Sequence, residues 1–141
     1  MEKQVSALIR RVKGKTPSIA APSFLAETAV LIGDVTVGAE SSIWYGAVLR
    51  GDDNPIRAGR RSNIQDGTIV HACILEDRSF VGMGATVMDG AVVESGAMVA
   101  AGALVAPGKI VRSGQVWMGN PGRHTRDLSA QEKQYLSYVS A

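Results

Sequence analysis

A six-residue repeat constrains this chain more than any other feature of its sequence. Every sixth residue from Leu75 to Val111 is Leu or Val, and a glycine follows three residues after Val81 and each later member. A small residue recurs at the same period, four residues after Leu75 and its successors. The three ladders are Leu75, Val81, Val87, Val93, Val99, Val105, Val111; Gly84, Gly90, Gly96, Gly102, Gly108, Gly114; and Ser79, Ala85, Ala91, Ala97, Ala103. A period of six fits neither the α-helix nor the simple strand alternation.

Six residues is the repeat length of hexapeptide parallel β-helices. In such a fold each hexad supplies one short strand and one turn, with the branched aliphatic residue packed inside the coil. Glycine suits the turn because a positive φ costs little without a Cβ atom. Three hexads close one triangular coil, and stacked coils pair their strands. We therefore predict an all-β fold, a left-handed parallel β-helix; the handedness follows from the resemblance of the repeat to that class.

The repeat extends upstream with two interruptions. The first covers residues 50–57, which contain Pro55 and are expected to form a loop that leaves the prism. The second is a one-residue slip of register between Val70 and Leu75, and His71 lies within it. Because a slip rotates later faces against earlier ones, we expect strain or local disorder over residues 70–78. The upstream members of the ladder are Leu31, Val37, Ile43, Leu49, Ala58, Ile64 and Val70.

The two ends of the chain lack the repeat. The breaker run Asn120-Pro121-Gly122 stops the ladder. The run Ser129-Ala130-Gln131-Glu132 is a capping box that predicts a short C-terminal α-helix from about Ala130, with Leu136 and Val139 for packing. The predicted regions are an N-terminal cap segment over residues 1–27, the left-handed β-helix over residues 28–120, and a linker with the helix over residues 121–141.

Composition excludes several classes of function. The chain has 15 basic and 13 acidic residues, a net charge of +2 that is too small and too mixed for a nucleic-acid partner. No apolar run of about 18 residues predicts a membrane span. The single cysteine, Cys73, rules out an internal disulfide and fits a reducing compartment. The first residues also lack the apolar core of a signal peptide. We therefore expect a cytoplasmic protein with no membrane and no nucleic-acid partner.

Several segments resemble the gamma-class carbonic anhydrase-like family of hexapeptide proteins, over roughly residues 12–138. They are Ile32-Gly33-Asp34-Val35, Ser42-Ile43-Trp44, Val48-Leu49-Arg50-Gly51-Asp52, Ser62-Asn63-Ile64-Gln65-Asp66-Gly67-Thr68, Val81-Gly82-Met83-Gly84-Ala85 and Gly119-Asn120-Pro121-Gly122. The resemblance implies a homotrimer of side-by-side prisms with a zinc ion at each interface, held by three histidines from two subunits. Zinc would lower the pKa of a bound water so that hydroxide attacks carbon dioxide and gives bicarbonate.

The resemblance also implies roles for five residues. Arg50 and Asp52 match an arginine and an aspartate that pair across the subunit contact. Gln65 matches a glutamine near the zinc-bound solvent, and Asp66 matches an acid that supports the site. His71 matches the first zinc histidine. Structural explanations stay open for most of them: an arginine–carboxylate pair can hold an interface without chemistry, Gln65 can bond a neighbouring coil, and Asp66 can belong to a turn.

One departure from the family weakens the zinc centre. The run Ile69-Val70-His71-Ala72-Cys73 matches the segment around the third zinc histidine as well as the first, so the segment between the two matches, about one to one and a half coils, is absent. Two of the three zinc ligands are then missing, and the other histidine, His124, lies beyond the last coil. Cys73 is two residues from His71, so it is either a second ligand on the same side of a strand or a small buried hydrophobe.

Three functions remain open at this point. The first is a zinc carbonic anhydrase acting on a small molecule, with activity weak or absent in this chain. The second is a non-catalytic trimeric hexapeptide scaffold. The third is an acyl-coenzyme A-dependent transferase of the same fold. Arg50, Asp52, Gln65 and Asp66 favour the first function, whereas the absent histidines count against it because catalytic zinc uses three protein ligands and a water.

Overall fold

The structure is a computed structural model that describes residues 6–138 of the 141-residue chain. These residues form a parallel β-solenoid of about six turns, followed by one short helix. This confirms the predicted fold class. The strands are β1 (Leu8–Arg10), β2 (Ser18–Ile19), β3 (Phe24–Leu25), β4 (Val30–Val37), β5 (Ser42–Ile43), β6 (Val48–Ala58), β7 (Asn63–Ile64), β8 (Ile69–His71), β9 (Ile74–Leu75), β10 (Phe80–Val81), β11 (Thr86–Val87), β12 (Val92–Val93), β13 (Met98–Val99), β14 (Leu104–Val105), β15 (Ile110–Val111), β16 (Gln115–Met118) and β17 (Arg123–Asp127), and the helix is α1 (Ala130–Tyr138).

The solenoid has three faces because every third hexad returns to the same side. The first face contains the start of β4 and of β6, then β8, β11 and β14. The second contains β2, the ends of β4 and β6, then β9, β12 and β15. The third contains β3, β5, β7, β10, β13 and β16. Since β4 and β6 run around a corner, they join the first two faces into one sheet.

The core follows the six-residue ladder. Every ladder member from Leu75 to Val111 is fully buried, as are the alanines at 85, 91 and 97. The ladder glycines occupy the corners, and Gly84 and Gly114 have φ values of 68° and 80°. An L-amino acid there would place its Cβ atom against the following carbonyl oxygen. Strand and corner thus alternate as the repeat predicts.

The first interruption is a bulge within a strand, so the predicted loop over residues 50–57 is wrong. Strand β6 continues from Val48 to Ala58 and stays paired with β4. Gly51 pairs with Gly33 but Ile56 pairs with Val35, which leaves three extra residues in β6 between these pairs. Ile56 then returns to the core, where it is fully buried. Its burial and the pairing hold a polar, proline-containing run close to the prism.

The register slip is repaired within one corner, so the expected disorder over residues 70–78 is wrong. Later coils pair at a step of 18 residues, such as Thr86 with Leu104. Ile69 pairs with Thr86 and Arg57 pairs with Ile74, both steps of 17, so one residue is missing between β8 and β9. Both strands remain paired on both sides. The strain is confined to Ala72, whose φ is 47° at a corner where the next coils have Gly90 and Gly108.

Replacing Ala72 by glycine is expected to raise the free energy of unfolding by about 1 kcal/mol, because glycine adopts a positive φ without the Cβ clash. Urea unfolding followed by circular dichroism measures the change. The control is Ala91→Gly at a buried position with no positive φ; there glycine should destabilise the protein by about 0.5–1 kcal/mol. Equal losses for both variants would show that the corner at Ala72 is unstrained.

The two ends close the solenoid differently. Strands β1 to β3 pair in parallel with β4 and β5, so residues 8–25 form a first coil, and the predicted boundary between residues 27 and 28 falls between β3 and β4. Strand β17 runs antiparallel to β16. Helix α1 lies on the third face, where Val116, Leu128 and Leu136 form a second small core. Val139 lies outside the described residues. Among the described helices, none has the length and apolar character that crossing a membrane requires.

The predicted capping box starts helix α1. The Ser129 N–H donates to Glu132 Oε1 at 2.9 Å, and the Glu132 N–H donates to Ser129 Oγ at 3.1 Å. Arg126 donates to both Glu132 oxygens at 2.6 and 2.9 Å. These hydrogen bonds from Arg126, and then from Ser129, lower the pKa of Glu132 to about 2. The pair ties β17 to the helix.

Candidate functional site

His71 lies at the outer end of the first face. Its neighbour Val70 points into the core, so strand alternation directs Ile69 and His71 outward. In the parallel register His71 sits beside Arg50 of the preceding coil. Asp52 follows two residues after Arg50. The structure therefore brings together three of the five site residues that the sequence predicts.

The imidazole of His71 is held between two carboxylates. Its Nε2 lies 3.6 Å from Asp52 Oδ1, and its Nδ1 makes a short hydrogen bond with Asp89 Oδ1 of the following coil. The Nε2 atom is buried and has no hydrogen-bond partner within the described part of the chain. Arg50 Nε lies 3.6 Å from Asp52 Oδ1, so the expected arginine–aspartate pair already forms within one subunit.

Asp52 is ionised at neutral pH. Partial burial acts to raise the pKa of its carboxyl group. Hydrogen bonds from the backbone N–H groups of Asp52 and Asp53, the charge of Arg50 and a smaller contribution from His71 outweigh that effect, so the pKa lies below its ordinary value. The site therefore presents a carboxylate to His71.

The bulge in β6 adds Asp53, which sequence reasoning missed. One ligand atom each from Asp52, Asp53 and His71 lie within 4.8 Å of one another, a spacing that one metal ion can span. Asp53 also pairs with Lys13 at 3.2 Å, and both side chains are well exposed. The break in the hexad ladder at residues 50–57 was the available signal, because a bulge re-aims side chains.

Gln65 and Asp66 lie apart from His71. They follow β7 at the corner that leads into the first face, whereas His71 ends β8 at the opposite corner of that face. The side-chain amide of Gln65 donates a short hydrogen bond to Asn63 Oδ1, and the backbone carbonyl of Asp66 accepts from the Gly84 N–H at 2.9 Å. A single chain therefore does not unite all five predicted residues.

The third face carries buried polar atoms without partners. Ser42 and Asn63 are register neighbours on β5 and β7, and both are almost fully buried. Within residues 6–138, Ser42 Oγ, Asn63 Nδ2 and the indole nitrogen of Trp44 have no hydrogen-bond partner. Phe24 stacks at 4.9 Å from Trp44 with 41% of its surface exposed. Buried polar groups are normally satisfied, so this face calls for a partner beyond the single chain, a water molecule or another subunit.

A groove opens beside His71 on the first face. Its volume is about 370 Å³. Arg50, His71 and Asp89 stand at its polar side. The rest of its wall is Val48, Ile69, Thr86 and Met88. Because Ile69 is half exposed there, the groove has an apolar floor next to a charged cluster.

Two other potential ligands lie elsewhere. Cys73 is buried in the main core, where burial, and then the charge of Asp89, raise the pKa of its thiol to about 12. This agrees with the hydrophobe alternative, because metal binding needs the thiolate. His124 lies on β17 and its Nε2 is 2.9 Å from Asp127. The structure thus places one histidine, His71, at the candidate site.

Comparison with known proteins agrees with the fold. No family model matches the sequence. The chain is 43% identical over 157 aligned positions to gamma carbonic anhydrase 2, mitochondrial, of Arabidopsis thaliana, covering 92% of this chain and 56% of that protein. It is 47% identical over 130 positions to a probable carbonic anhydrase of Methanocaldococcus jannaschii, covering 77% of this chain and 82% of that one. A solved structure of a hexapeptide transferase family protein from Anaplasma phagocytophilum has a TM-score of 0.75 and 41% identity, covering 94% of this chain and 92% of its own.

The fold and the cluster around His71 define a hexapeptide-repeat protein with a polar site on one prism face. With the sequence identities above, the chain belongs to the gamma carbonic anhydrase-like family. This confirms the resemblance drawn from the motifs. The chain spans a little over half the length of the plant relatives that it matches, between 56% and 61%.

Proposed function

We propose that this chain is a trimeric gamma-carbonic-anhydrase-like protein whose hydration of carbon dioxide is weak or absent. One observation carries the proposal: His71 is the single histidine beside Arg50 and Asp52. A three-histidine zinc centre does not fit these residues. Catalytic zinc commonly uses three protein ligands and a water, whereas Cys73 is a buried thiol and His124 is engaged on β17.

We also propose that the segment between the two histidine matches is missing from this chain. The match to the Arabidopsis protein runs over 157 positions but takes in 92% of this chain, about 130 residues, so about 27 aligned positions have no counterpart here. That number agrees with one and a half coils of 18 residues. The 17-residue coil at β8 and β9 supports the junction directly after His71.

A homotrimer of side-by-side prisms is supported by two surfaces of the single chain. The unpartnered Ser42, Trp44 and Asn63 atoms on the third face would find hydrogen bonds across an interface. Exposed Ile69 on the first face and Tyr45 beside the third face would be covered. Assembly would also bring Gln65 of one subunit toward His71 of another, which one chain does not do.

Within this proposal the predicted site residues act mainly as structural groups. Arg50 and Asp52 form an ion pair at the edge of the first face, and Gln65 bonds Asn63 in its own coil. Asp66 belongs to the turn whose carbonyl holds Gly84. If the protein hydrates no carbon dioxide at all, the function reduces to the scaffold alternative. We place the protein in the cytoplasm, supported by its one buried thiol.

The acyl-coenzyme A-dependent transferase is a second candidate. It is supported by the 41% identity to the structure described as a hexapeptide transferase family protein. The apolar groove beside His71 is the feature of the chain that such a substrate would use. Binding of acetyl-coenzyme A, measured by calorimetry and lost in His71→Ala, would favour this candidate over the first.

The proposal predicts a folded trimer without measurable hydration. Stopped-flow measurement of carbon dioxide hydration, with zinc added, should give the rate of the buffer alone, while light scattering should give three times the chain mass. The control pair is His71→Ala and His124→Ala, and neither should change the rate. A zinc-dependent rate that only His71→Ala abolishes would overturn the loss of activity. A monomer would overturn the trimer.

A further inference from the structure

We propose that Asp52, Asp53 and His71 form a divalent-metal site within a single subunit, with Asp89 as the residue that orients the imidazole. The ion would be a first-row transition metal held by one nitrogen and two carboxylate oxygens, with its other positions left to water. The inference deepens the proposed function and rests on it, because it concerns the donor set that remains once two histidines are lost.

The bulge in β6 is what makes these ligands converge. In a regular strand neighbouring residues point to opposite sides, so Asp52 and Asp53 would separate. The three extra residues between Gly51 and Ile56 break that alternation. As a result both carboxylates reach the His71 side of the corner, and the three ligand atoms lie within 4.8 Å of one another.

The second observation is the way His71 is held. Histidine ligands of metals usually donate their other ring N–H to a carboxylate, which fixes the tautomer and the ring orientation. The His71 Nδ1 makes such a bond with Asp89, from the coil below. The Nε2 is then left with a lone pair directed toward Asp52, and it is buried without any hydrogen-bond partner in the described chain. An unsatisfied buried nitrogen beside two carboxylates is the arrangement a metal ion would complete.

The charges around the site favour a dication. Asp52 is ionised, and the exposed Asp53 adds a second carboxylate. The competing cations are Arg50, 3.6 Å from Asp52, and Lys13, 3.2 Å from Asp53. Both pairs are largely solvent-exposed, so they contribute little and can be displaced. A metal ion would neutralise the two carboxylates more completely than these side chains do.

The donor set predicts which ions bind. Three imidazoles suit zinc, whereas carboxylate and water oxygens also suit Mn²⁺. The single imidazole of His71 keeps affinity for the later first-row metals. We therefore expect Co²⁺ and Mn²⁺ both to bind, in contrast to a centre made of histidines alone.

The test is Co²⁺ binding to the full-length chain, followed by calorimetry and by the visible spectrum of the ion. We expect one ion per chain. Asp53→Asn should weaken binding by about 100-fold and Asp89→Asn by about 10-fold or more, since outer partners of ligating histidines commonly contribute factors of 10–100. Asp53 is exposed, so its variant should fold normally. The matched control is Asp127→Asn, which removes the carboxylate of the other histidine–aspartate pair and should leave binding unchanged.

Three results would overturn the site: no stoichiometric Co²⁺ binding, equal affinity in Asp53→Asn and the unaltered chain, or a thiolate charge-transfer band showing that Cys73 is a ligand. These results are independent of the hydration assay. Metal binding sensitive to Asp53→Asn together with rapid hydration would refute the proposed loss of activity but keep the site. Binding that is insensitive to Asp53→Asn, with no hydration, would remove the site and leave the proposed function standing.

Discussion

Replacing Leu75 by alanine is expected to lower the free energy of unfolding by about 4 kcal/mol, near the upper part of the range for buried leucines. Leu75 is fully buried in an inward column of the second face, between Ala58 above and Val93 below. Because Ala58 is already small, two alanines would adjoin and the paired backbones could not collapse onto the gap. A cavity would remain, and its size sets the additional cost.

The control for Leu75→Ala is Ile74→Ala in the same two-residue strand. Ile74 points outward with 46% of its surface exposed. Its loss should change the free energy by about 0.5 kcal/mol or less, as for most surface positions. Urea midpoints of the two variants measure the difference. Similar losses for both would mean that β9 does not alternate inward and outward as the ladder requires.

Replacing Gly82 by alanine is expected to cost about 3 kcal/mol, because the added atom overpacks a contact between two backbones. A Cβ atom at Gly82 would lie 2.6 Å from the Ala101 nitrogen and 2.9 Å from the Val99 oxygen of the next coil. Neither neighbour is a flexible side chain, so two paired coils would have to separate.

Gly84 provides the comparison for Gly82, two residues away in the same turn. It has a φ of +68°, and a Cβ atom there would meet nothing within 4 Å. Gly84→Ala therefore suffers backbone strain alone, about 1–2 kcal/mol. Thermal or urea unfolding of both variants ranks the two effects. If Gly84→Ala proved the more damaging, close contact between coils would not be what requires glycine at position 82.

The regular coils could be predicted from the sequence because every hexad meets the same environment. Val87 and Val105 each point into the coil, and each has an equivalent neighbour one coil above and below. A misplaced member would break two pairings at once, so the ladder determines inside and outside without any further information. The capping box at Ser129 is similarly local, since both of its hydrogen bonds join residues three apart.

The two interruptions could be located in the sequence, but their repair could not. Pro55 and the polar residues around it are typical of a loop, whereas pairing with β4 and burial of Ile56 keep the segment in the sheet. These contacts come from a distant part of the chain. At the slip, an alanine in a left-handed conformation is rare enough that sequence alone would not place one at Ala72.

The candidate site was partly predictable. Arg50, Asp52 and His71 were implied by family motifs, and the structure places them side by side. Asp53 was missed because strand alternation would place it on the other side of Asp52. Asp89 was missed although it follows His71 by 18 residues, one regular coil, which was the available signal. The roles of Gln65 and Asp66 remain predictions, since they depend on a neighbouring subunit.

The corner between the first and second faces has changed its length twice in consecutive coils. It gains three residues before Ile56 and loses one near Ala72, yet the strands on either side stay paired. A corner with this tolerance is a natural attachment point for foreign sequence. A peptide epitope grafted between Asn54 and Pro55 would be displayed on a rigid prism, and an assembled trimer would present three copies of it.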